Sequence, residues 1–266
     1  MNTSQDKAGR LAGKIAIVTG ATSGVGSGIA LEFALEGAKV LLTGRDQERA
    51  DKILQEIEAQ GVPREHLSFH PADLASVEQC QSIVPQAIKV FGALDVLVNN
   101  AGDVTRGNIE NTSVELWDRH MAVNLRAPFI LTQAAYPHMK ERGGGSIINI
   151  GSVNAYSGET KLMSYSASKG GLMTFTRNVA SYLHRYRIRV NQLNVGWTLT
   201  EGEDKVMRAD TGRDDWLEEA IKTRPFGRLL SPRDIALAAL YFASDDSALI
   251  NGSVLDMEQT PVGSRA

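Results

Sequence analysis

The sequence predicts an α/β fold in which one doubly wound parallel sheet carries helices on both faces. Short apolar runs typical of buried strands alternate with segments of helical periodicity along the chain. A glycine-rich turn separates the first strand from the first helix. No linker rich in Pro, Gly or Ser, no repeat and no low-complexity segment interrupts the 266 residues. We therefore expect a single domain over residues 1–266.

Seven apolar runs predict the strands. The first, over residues 14–18, has the continuous apolar character of a strand that is buried on both faces. Each later run follows a segment of helical periodicity, as parallel pairing requires. The predicted strands are 14–18, 39–43, 67–70, 96–99, 146–150, 189–195 and 254–256.

The segments between these runs predict the helices. Over residues 47–60, for example, Ile53, Leu54 and Ile57 share one side of a helix. Ser231 and Pro232 are typical of a capped helix start. We predict one helix after the glycine-rich turn, two between residues 113 and 141, and others over 47–60, 77–91, 164–186, 216–222 and 232–243.

Composition excludes several classes of function. With 28 basic and 31 acidic residues the formal net charge is −3, so neither a nucleic acid nor an anionic membrane is an expected partner. No apolar run is long enough to span a membrane, and the polar start lacks the apolar core of a signal peptide. The single cysteine, Cys80, fits a reducing compartment, and we expect a cytoplasmic protein. His66 and His70 lie on a predicted strand, and we expect no metal site.

The turn after the first strand, over residues 19–26, has the spacing Gly-x-x-x-Gly-x-Gly. Glycines let a backbone turn tightly and approach a pyrophosphate with no side chain between them. The helix that follows offers free N–H groups and a positive dipole end to phosphates. A plain tight turn is the alternative. The position between first strand and first helix favours a dinucleotide site in a Rossmann-type fold.

Polar groups stand at other strand ends as well. Asp73 follows the third strand and the run over 99–102 follows the fourth, where a carboxylate and small residues suit the adenosine half of a dinucleotide. The alternatives are a helix N-cap for Asp73 and a plain turn for 99–102. Ser152 follows the fifth strand and can donate to a substrate oxygen, although a lone loop serine is usually only solvated. Asn124 lies in a helical stretch, where a surface or capping role is the alternative.

Tyr165 and Lys169 are the pair around which the chemistry is organised. Four residues apart on a predicted helix, they share one face. A free phenol titrates near about 10, but a neighbouring ammonium stabilises the phenolate and lowers that pKa. A tuned tyrosine can give a proton to a carbonyl oxygen or take one from an alcohol. Taken alone, the pair could equally be part of an exposed helix face.

Together these motifs resemble the short-chain dehydrogenase/reductase family. The motifs occur in the family's order, the resemblance covers the chain from Leu11 to about Met257, and the chain length resembles the single-domain branch of that family. Val195 departs from the family pattern, which commonly has proline there, and the start of that loop is expected to be less rigid. Gly196 and Thr198 still match positions that line the nicotinamide.

The resemblance implies a role for each residue. Tyr165 would be the general acid in reduction and the base in oxidation, and Ser152 would polarise the carbonyl. Lys169 would hold the nicotinamide ribose and depress the Tyr165 pKa, and Asn124 would hold a water that links Lys169 to solvent. The implied catalytic residues are thus Asn124, Ser152, Tyr165 and Lys169. The implied cofactor-binding residues are Thr19, Gly20, Ser23, Gly24, Val25, Gly26, Arg45, Asp73, Leu74, Asn100, Ala101, Gly102, Tyr165, Lys169, Gly196 and Thr198.

These roles predict an NAD(P)-dependent oxidoreductase that transfers a hydride between the coenzyme and a small-molecule secondary alcohol or ketone, with no metal. A dinucleotide sensor without turnover and a structural subunit of a larger complex are the alternatives. Gly44 occupies the tip of the second strand, where an acid would reject a 2′-phosphate, and Arg45 suits a phosphate. We therefore favour NADP(H). NAD(H) remains possible if Asp46 turns inward.

Residues 196–228 are mostly irregular, and we predict that they form a substrate lid. Trp197 could close over the substrate, or it could pack on the core of the protein itself. With Ser152 and Tyr165, Asn154 and Trp197 are the expected substrate-binding residues. An aromatic face with polar neighbours favours a hydroxylated substrate such as a sugar or polyol, with an acyl-carrier or steroid-type ketone as the rival.

The family resemblance also implies a homotetramer. Two long helices of each subunit, near 116–139 and over 164–186, would pack against a neighbour, and the segment 254–262 would lie across another interface. Closed twofold symmetry is the usual outcome for such enzymes.

Overall fold

The computed structural model describes residues 9–156 and 159–263. Seven parallel strands form one sheet in the order β3-β2-β1-β4-β5-β6-β7. The fold class predicted from the sequence is confirmed. The ends of the expected domain, residues 1–8 and 264–266, lie outside the described residues. The strands are β1 Ile15–Thr19, β2 Lys39–Gly44, β3 Leu67–Pro71, β4 Val96–Asn99, β5 Gly145–Ser152, β6 Ile188–Val195 and β7 Val254–Met257.

Helices cover both faces of this sheet. Within the described residues, none of them combines the length and apolar character needed to cross a bilayer. They are α1 Gly24–Leu35, α2 Gln47–Ala59, α3 Val77–Phe91, α4 Val114–Met121, α5 Ala127–Glu141, α6 Met163–Leu183, α7 Glu201–Thr211, α8 Trp216–Lys222 and α9 Pro232–Ala243. A π-helical turn, Ala122–Arg126, joins α4 to α5, and a 3-10 turn, His184–Tyr186, follows α6.

Two buried apolar clusters lie on opposite faces of the sheet, and β1 contributes to both. Ala16 and Val18 point to the face covered by α1 and α9, while Ile17 points to the face covered by α3, α5 and α6. This placement explains the continuous apolar run of the first strand, since alternate residues face opposite sides. The carboxyl ends of the parallel strands lie at one edge of the sheet, where ligands bind in such folds.

The segment expected to be irregular, residues 196–228, contains one helix that the sequence analysis missed. Thr200 caps α7 by accepting a hydrogen bond from the backbone N–H of Glu203, at 3.0 Å. Three acidic residues in its first turn favour the helix dipole, and Gly212 ends it in the left-handed region with φ +65°. The expected irregular lid is therefore largely helical.

A chain of side-chain hydrogen bonds, buried except at its last link, runs across four neighbouring strands by way of Thr176 on α6. Each amide or hydroxyl donates to the next acceptor in line, over distances of 2.7–2.9 Å, and the chain ends on the exposed Asp256 carboxylate. We call this set the polar ladder; in order its members are Asn99, Asn149, Thr176, Gln192, Asn194 and Asp256. Gly151 leaves room for it, because a Cβ there would lie 2.3 Å from both Gln192 Nε2 and Asn194 Oδ1.

Candidate active site

The turn after β1 is braced from the end of β4. The side-chain amide of Asn100 donates to the carbonyl oxygens of Thr19 and Gly20, at 2.8 and 3.2 Å. The Thr19 hydroxyl in turn accepts from the backbone N–H groups of Asn100 and Ala101. Thr19 and Asn100 thus fix the shape of the turn through contacts within the protein.

The glycines of this turn are required by close backbone approach. Gly20 has φ +62°, and a Cβ there would lie 2.9 Å from the Cα of Ala101. A Cβ on Gly26 would lie 2.2 Å from the carbonyl oxygen of Gly20. The tight packing keeps the backbone free of side chains where α1 begins.

The N-terminus of α1 has the character of an anion site. Ser23 is its N-cap, and the Ser23 side chain is exposed and makes no capping hydrogen bond. The first turn of α1 carries no acidic residue, whereas α2, α3 and α4 each carry one. An uncapped helix start without a carboxylate leaves N–H groups and a positive dipole end for phosphates. These residues therefore fit the pyrophosphate of a dinucleotide.

The end of β2 has no acid that faces the turn. The Asp46 side chain accepts from the backbone N–H of Arg49, at 3.1 Å, and so caps α2 instead of turning inward. Arg45 is exposed beside it. Thr22, which the sequence analysis did not select, lies against Gly44, where a Cβ would meet the Thr22 Oγ1 at 2.9 Å.

Asp73 stands at the end of β3, as expected, but does not cap a helix. Its carboxylate accepts from the backbone N–H of Ala75 at 3.0 Å, and its own backbone N–H donates to Gln79 Oε1. Ser76 is the N-cap of α3. Leu74 is buried beside Asp73.

The residues expected to carry the chemistry come together near the ends of β4 and β5. Ser152 is the last residue of β5 rather than the first of the loop, and Tyr165 lies in the first turn of α6. Lys169 follows one turn later, and its Nζ donates to the carbonyl oxygen of Ile150 at 2.7 Å. Tyr165 is 9% exposed and Lys169 is 4% exposed, so both groups are almost fully withdrawn from water.

The direction of the Tyr165 pKa differs from the one expected from Lys169. Burial raises the pKa of the Tyr165 phenol, the Glu203 carboxylate adds to that rise, and a hydrogen bond with Ser152 acts against it. Burial also lowers the pKa of Lys169 to about 8. The Lys169 Nζ lies over the Tyr165 ring, 5.7 Å from its centroid, and donates its hydrogen bond to Ile150. The phenol stays protonated at neutral pH, the form that gives a proton to a carbonyl.

Asn124 lies in the π-helical turn and is fully buried. Its amide nitrogen donates to the carbonyl oxygen of Asp103 and to the Ser168 hydroxyl, and its Oδ1 accepts from the backbone N–H of Asp103. A Cβ on Gly102 would lie 3.5 Å from Asn124 Oδ1 and 3.7 Å from Lys169 Nζ. Gly102 therefore lies between these two groups, and a π-turn at such a place is typical of functional sites.

The segment predicted to be the lid, residues 196–228, begins at Gly196, which is held closely against β7. The backbone N–H of Gly196 donates to the carbonyl oxygen of Met257 at 3.0 Å, and a Cβ there would lie 2.5 Å from Glu258 Oε2. The Thr198 hydroxyl donates to the carbonyl oxygen of Gly196 at 3.1 Å. Val195 is the last residue of β6 and pairs with Met257, so the sheet holds it where the family commonly has proline.

Trp197 packs within the lid. Its ring lies 5.9 Å from that of Trp216, and its N–H donates to Glu203 Oε1 at 2.8 Å. These contacts match the alternative in which Trp197 packs on the protein's own core. Trp197 thus contacts Glu203, and the Glu203 carboxylate acts to raise the pKa of the Tyr165 phenol.

Two loops hold the lid from the far side of the site. Asp210 on α7 forms ion pairs with Arg106 and Lys161, and the Arg106 guanidinium also contacts the Met207 sulfur at 3.6 Å. Asn154 is half-buried, and its backbone N–H donates to Ser152 Oγ at 3.2 Å. The sequence analysis expected the Asn154 side chain to contact the substrate. In the structure, the Asn154 backbone N–H is the group that contacts Ser152.

Comparison with known proteins identifies the family in which this arrangement of residues occurs. A family model described as short chain dehydrogenase matches residues 14–211. The chain belongs to the short-chain dehydrogenase/reductase family. Members of this family are oxidoreductases that bind a nicotinamide cofactor.

Similar members of the family act on different substrates. The chain is 34% identical to an NADP-dependent (R)-specific alcohol dehydrogenase of Lentilactobacillus kefiri, over 92% of this chain and 94% of the relative. It is 33% identical to a 3-oxoacyl-(acyl-carrier-protein) reductase of Thermotoga maritima, over 94% of this chain and 98% of the relative. The structure of L-sorbose reductase from Gluconobacter frateurii, complexed with NADPH and L-sorbose, superposes with a TM-score of 0.90 at 28% identity, covering 96% of this chain and 98% of that one.

Proposed function

We propose that the protein is an NADP(H)-dependent oxidoreductase that interconverts a secondary alcohol and a ketone. The observation that carries the proposal is the meeting of Ser152, Tyr165 and Lys169 at the edge of the sheet where the uncapped start of α1 also lies. Tyr165 is the proton donor to the carbonyl oxygen in reduction and the acceptor in oxidation, and the Ser152 hydroxyl orients that oxygen. Asn124 and Lys169 support the movement of the proton to and from Tyr165.

The coenzyme, when bound, supplies or accepts the hydride. Residues 19–26 would hold its pyrophosphate, Asp73 and Leu74 its adenine side, and residues 100–102 its adenosine ribose. Lys169, Gly196 and Thr198 would hold the nicotinamide half. NADP(H) is favoured over NAD(H) because Asp46 is engaged in capping α2, which leaves Arg45 as the charged group at the tip of β2. The NADP dependence of the Lentilactobacillus relative supports this preference.

Replacing Arg45 with alanine tests the coenzyme preference. Loss of the guanidinium should reduce kcat/KM with NADPH by roughly tenfold or more, since a charged hydrogen bond contributes about 1.5–3 kcal/mol. The value with NADH should change little. Steady-state kinetics with both coenzymes give the ratio. Arg49→Ala, which removes a neighbouring guanidinium already paired with Asp46, is the matched control. A ratio that Arg45→Ala leaves unaltered would rule out a phosphate contact at this position.

The lid favours a hydroxylated substrate over a long acyl chain. The Glu203 carboxylate lies near enough to Tyr165 to affect its phenol, and it can accept hydrogen bonds from substrate hydroxyl groups. The Asn154 backbone approaches Ser152 on the other wall, and Trp197 holds Glu203 in place. The structural likeness to L-sorbose reductase supports the same class, while the Thermotoga relative keeps an acyl-carrier ketone as the rival.

A panel of carbonyl compounds tests the function and the substrate class together. Purified protein is mixed with NADPH and, in turn, a ketose, a small ketone, a steroid ketone or a 3-oxoacyl thioester, and the absorbance of the reduced coenzyme is followed. Turnover fastest with the ketose supports the proposal as stated. If turnover is fastest with the thioester, the proposed reaction still holds but the proposed substrate class is overturned. Coenzyme binding without any turnover would favour the dinucleotide sensor or the structural subunit.

We also propose a homotetramer, built through α4, α5 and α6. Phe129 on α5 is 46% exposed and packs edge-on against Phe175 of α6, in a groove that Leu125 and Gly171 also line. Burial of such an apolar face between subunits is favourable. Light scattering at micromolar concentration measures the mass directly. A stable monomer would contradict the proposal, and Phe129→Glu should dissociate a tetramer if this face forms the contact.

A further inference from the structure

A histidine outside the proposed catalytic set is fully buried against the catalytic tyrosine. His120 lies in the last turn of α4, and its ring meets that of Tyr165 edge-on, with 6.4 Å between centroids and 77° between planes. Its Nδ1 is 2.7 Å from the hydroxyl oxygen of Ser164, the residue before Tyr165. Its Nε2 is 3.5 Å from Asp103 Oδ1, near enough for the carboxylate charge to act on it although the two atoms form no hydrogen bond in the structure. His120 therefore lies between two polar groups, Asp103 in the loop after β4 and Ser164 in the first turn of α6.

Asp103 is held in place by hydrogen bonds to its backbone and to its carboxylate. It follows Gly102 directly, and Asn124 holds both its backbone N–H and its carbonyl oxygen. Burial alone would raise the pKa of its carboxyl, but hydrogen bonds from Thr105 and from Arg119 hold that pKa at about 2. Asp103 is therefore an anion at every pH of interest, and the Arg119 Nε at 2.5 Å partly neutralises it.

This anion determines which nitrogen of His120 carries a proton. Burial lowers the pKa of His120, while Asp103 acts to raise it and Arg119 to lower it, so the ring is neutral near pH 7. A neutral imidazole has one donor and one acceptor nitrogen. Because Asp103 can only accept, the proton belongs on Nε2. The Nδ1 atom is then the acceptor, and the Ser164 hydroxyl donates to it.

We propose that His120 is a positioning residue for Tyr165. His120 lies against Asp103 in the loop after β4 and accepts a hydrogen bond from Ser164, and these contacts fix the first turn of α6, which carries Tyr165. The proposal rests on the proposed function, since it concerns the same site. Ser164 is buried, and its hydroxyl needs a partner in the fold. When His120 Nδ1 accepts from the Ser164 hydroxyl, the backbone of Ser164 and Tyr165 is held in the position in which the phenol contacts Ser152.

Two substitutions at His120 separate this role from simple filling of the core. The side-chain oxygen of asparagine can take the place of Nδ1 and accept from Ser164, whereas glutamine reaches the place of Nε2 and faces Asp103. His120→Asn should therefore keep kcat within about threefold of wild type, while His120→Gln and His120→Leu should lower kcat by about tenfold or more, since a misplaced acid loses most of its catalytic contribution. KM for the coenzyme should change less than twofold in all three variants.

The measurements use NADPH and the fastest carbonyl of the panel, with kcat expressed per coenzyme-binding site so that misfolded protein is not counted. Ser164→Ala should match His120→Leu, and the double variant should be no slower than either single one, because both remove the same contact. His184→Asn, at an exposed histidine, is the matched control. In protein labelled with ¹⁵N at its five histidines, His120 should show an unprotonated Nδ1 without any coenzyme.

Each outcome supports or overturns the proposal. Equal kcat per site in wild type and His120→Leu overturns it, and so does equal activity of the asparagine and glutamine variants. A protonated Nδ1 overturns the direction of the hydrogen bond and the proposal with it. Wild-type protein that turns over no carbonyl overturns the proposed function first, so the two failures are distinguishable.

Discussion

Replacing Tyr165 with phenylalanine is expected to lower kcat by roughly a hundredfold or more while the coenzyme still binds. The change removes one oxygen atom and keeps the ring that packs against His120. Without the phenol, the carbonyl oxygen loses its proton donor, and Ser152 alone orients it. Because burial raises the pKa of this phenol, it holds its proton at neutral pH, and we expect the loss to be large in the direction of reduction.

Stopped-flow or steady-state kinetics with NADPH measures this loss, and fluorescence titration measures the coenzyme affinity. The matched control is Tyr241→Phe on α9, which removes a hydroxyl remote from the site and should leave kcat within about twofold of wild type, as is usual for surface changes. Turnover by Tyr165→Phe close to that of the control would show that another group transfers the proton.

The second large effect is expected at Gly151, next to Ser152. Gly151→Ala places a methyl group 2.3 Å from both Gln192 Nε2 and Asn194 Oδ1, so the polar ladder must shift or break. Overpacking of a core costs about 1–3 kcal/mol, and a buried amide left without its partner costs about as much again. We expect a loss of about 2–6 kcal/mol in the free energy of unfolding, together with lower kcat because Ser152 moves.

Urea denaturation measures the loss of stability. Gly202→Ala on α7 is the matched control, since a Cβ there has its nearest contact at 3.8 Å and alanine favours a helix. In the double variant Gly151→Ala with Gln192→Ala the methyl gains space, so the combined loss should be smaller than the sum of the single losses. Strict additivity would show that the ladder does not couple these positions.

The helix bounds predicted from the sequence were most accurate where an apolar pattern of helical period coincides with a capping residue at the helix end. The bounds of α3, α8 and α9 agree with the prediction to the residue, and in α9 the reason is visible: Ser231 and Asp234 form a complete capping box. The helix α7 was missed because none of its residues is buried, so it lacks the apolar periodicity by which helices are recognised. Its cap at Thr200 and its end at Gly212 were present in the sequence but were not used.

Candidate site residues were predictable where a strand end brings them together, as for Ser152 and Asn100. The contacts of Thr22, Glu203 and His120 depend on segments far apart in the chain, and no local pattern reports them. Trp197 shows the same limit, because the direction of its indole is set by Trp216 and by the hydrogen bond to Glu203. The rise in the Tyr165 pKa was missed for a related reason, since it comes from burial of the phenol, which depends on segments distant in the chain.

The lid has an apolar cluster of its own, apart from the two clusters of the sheet. Trp216, Ala220 and Leu229 are buried there, with Trp197 and Met207 packed against them. Ion pairs from Asp210 to Arg106 and Lys161 join this body to the loops across the site. Ion pairs near water contribute about 0–1 kcal/mol each and weaken as salt is added. If these ion pairs separate while the apolar cluster stays packed, the segment can move as one body, and we expect added salt to speed substrate entry and product release.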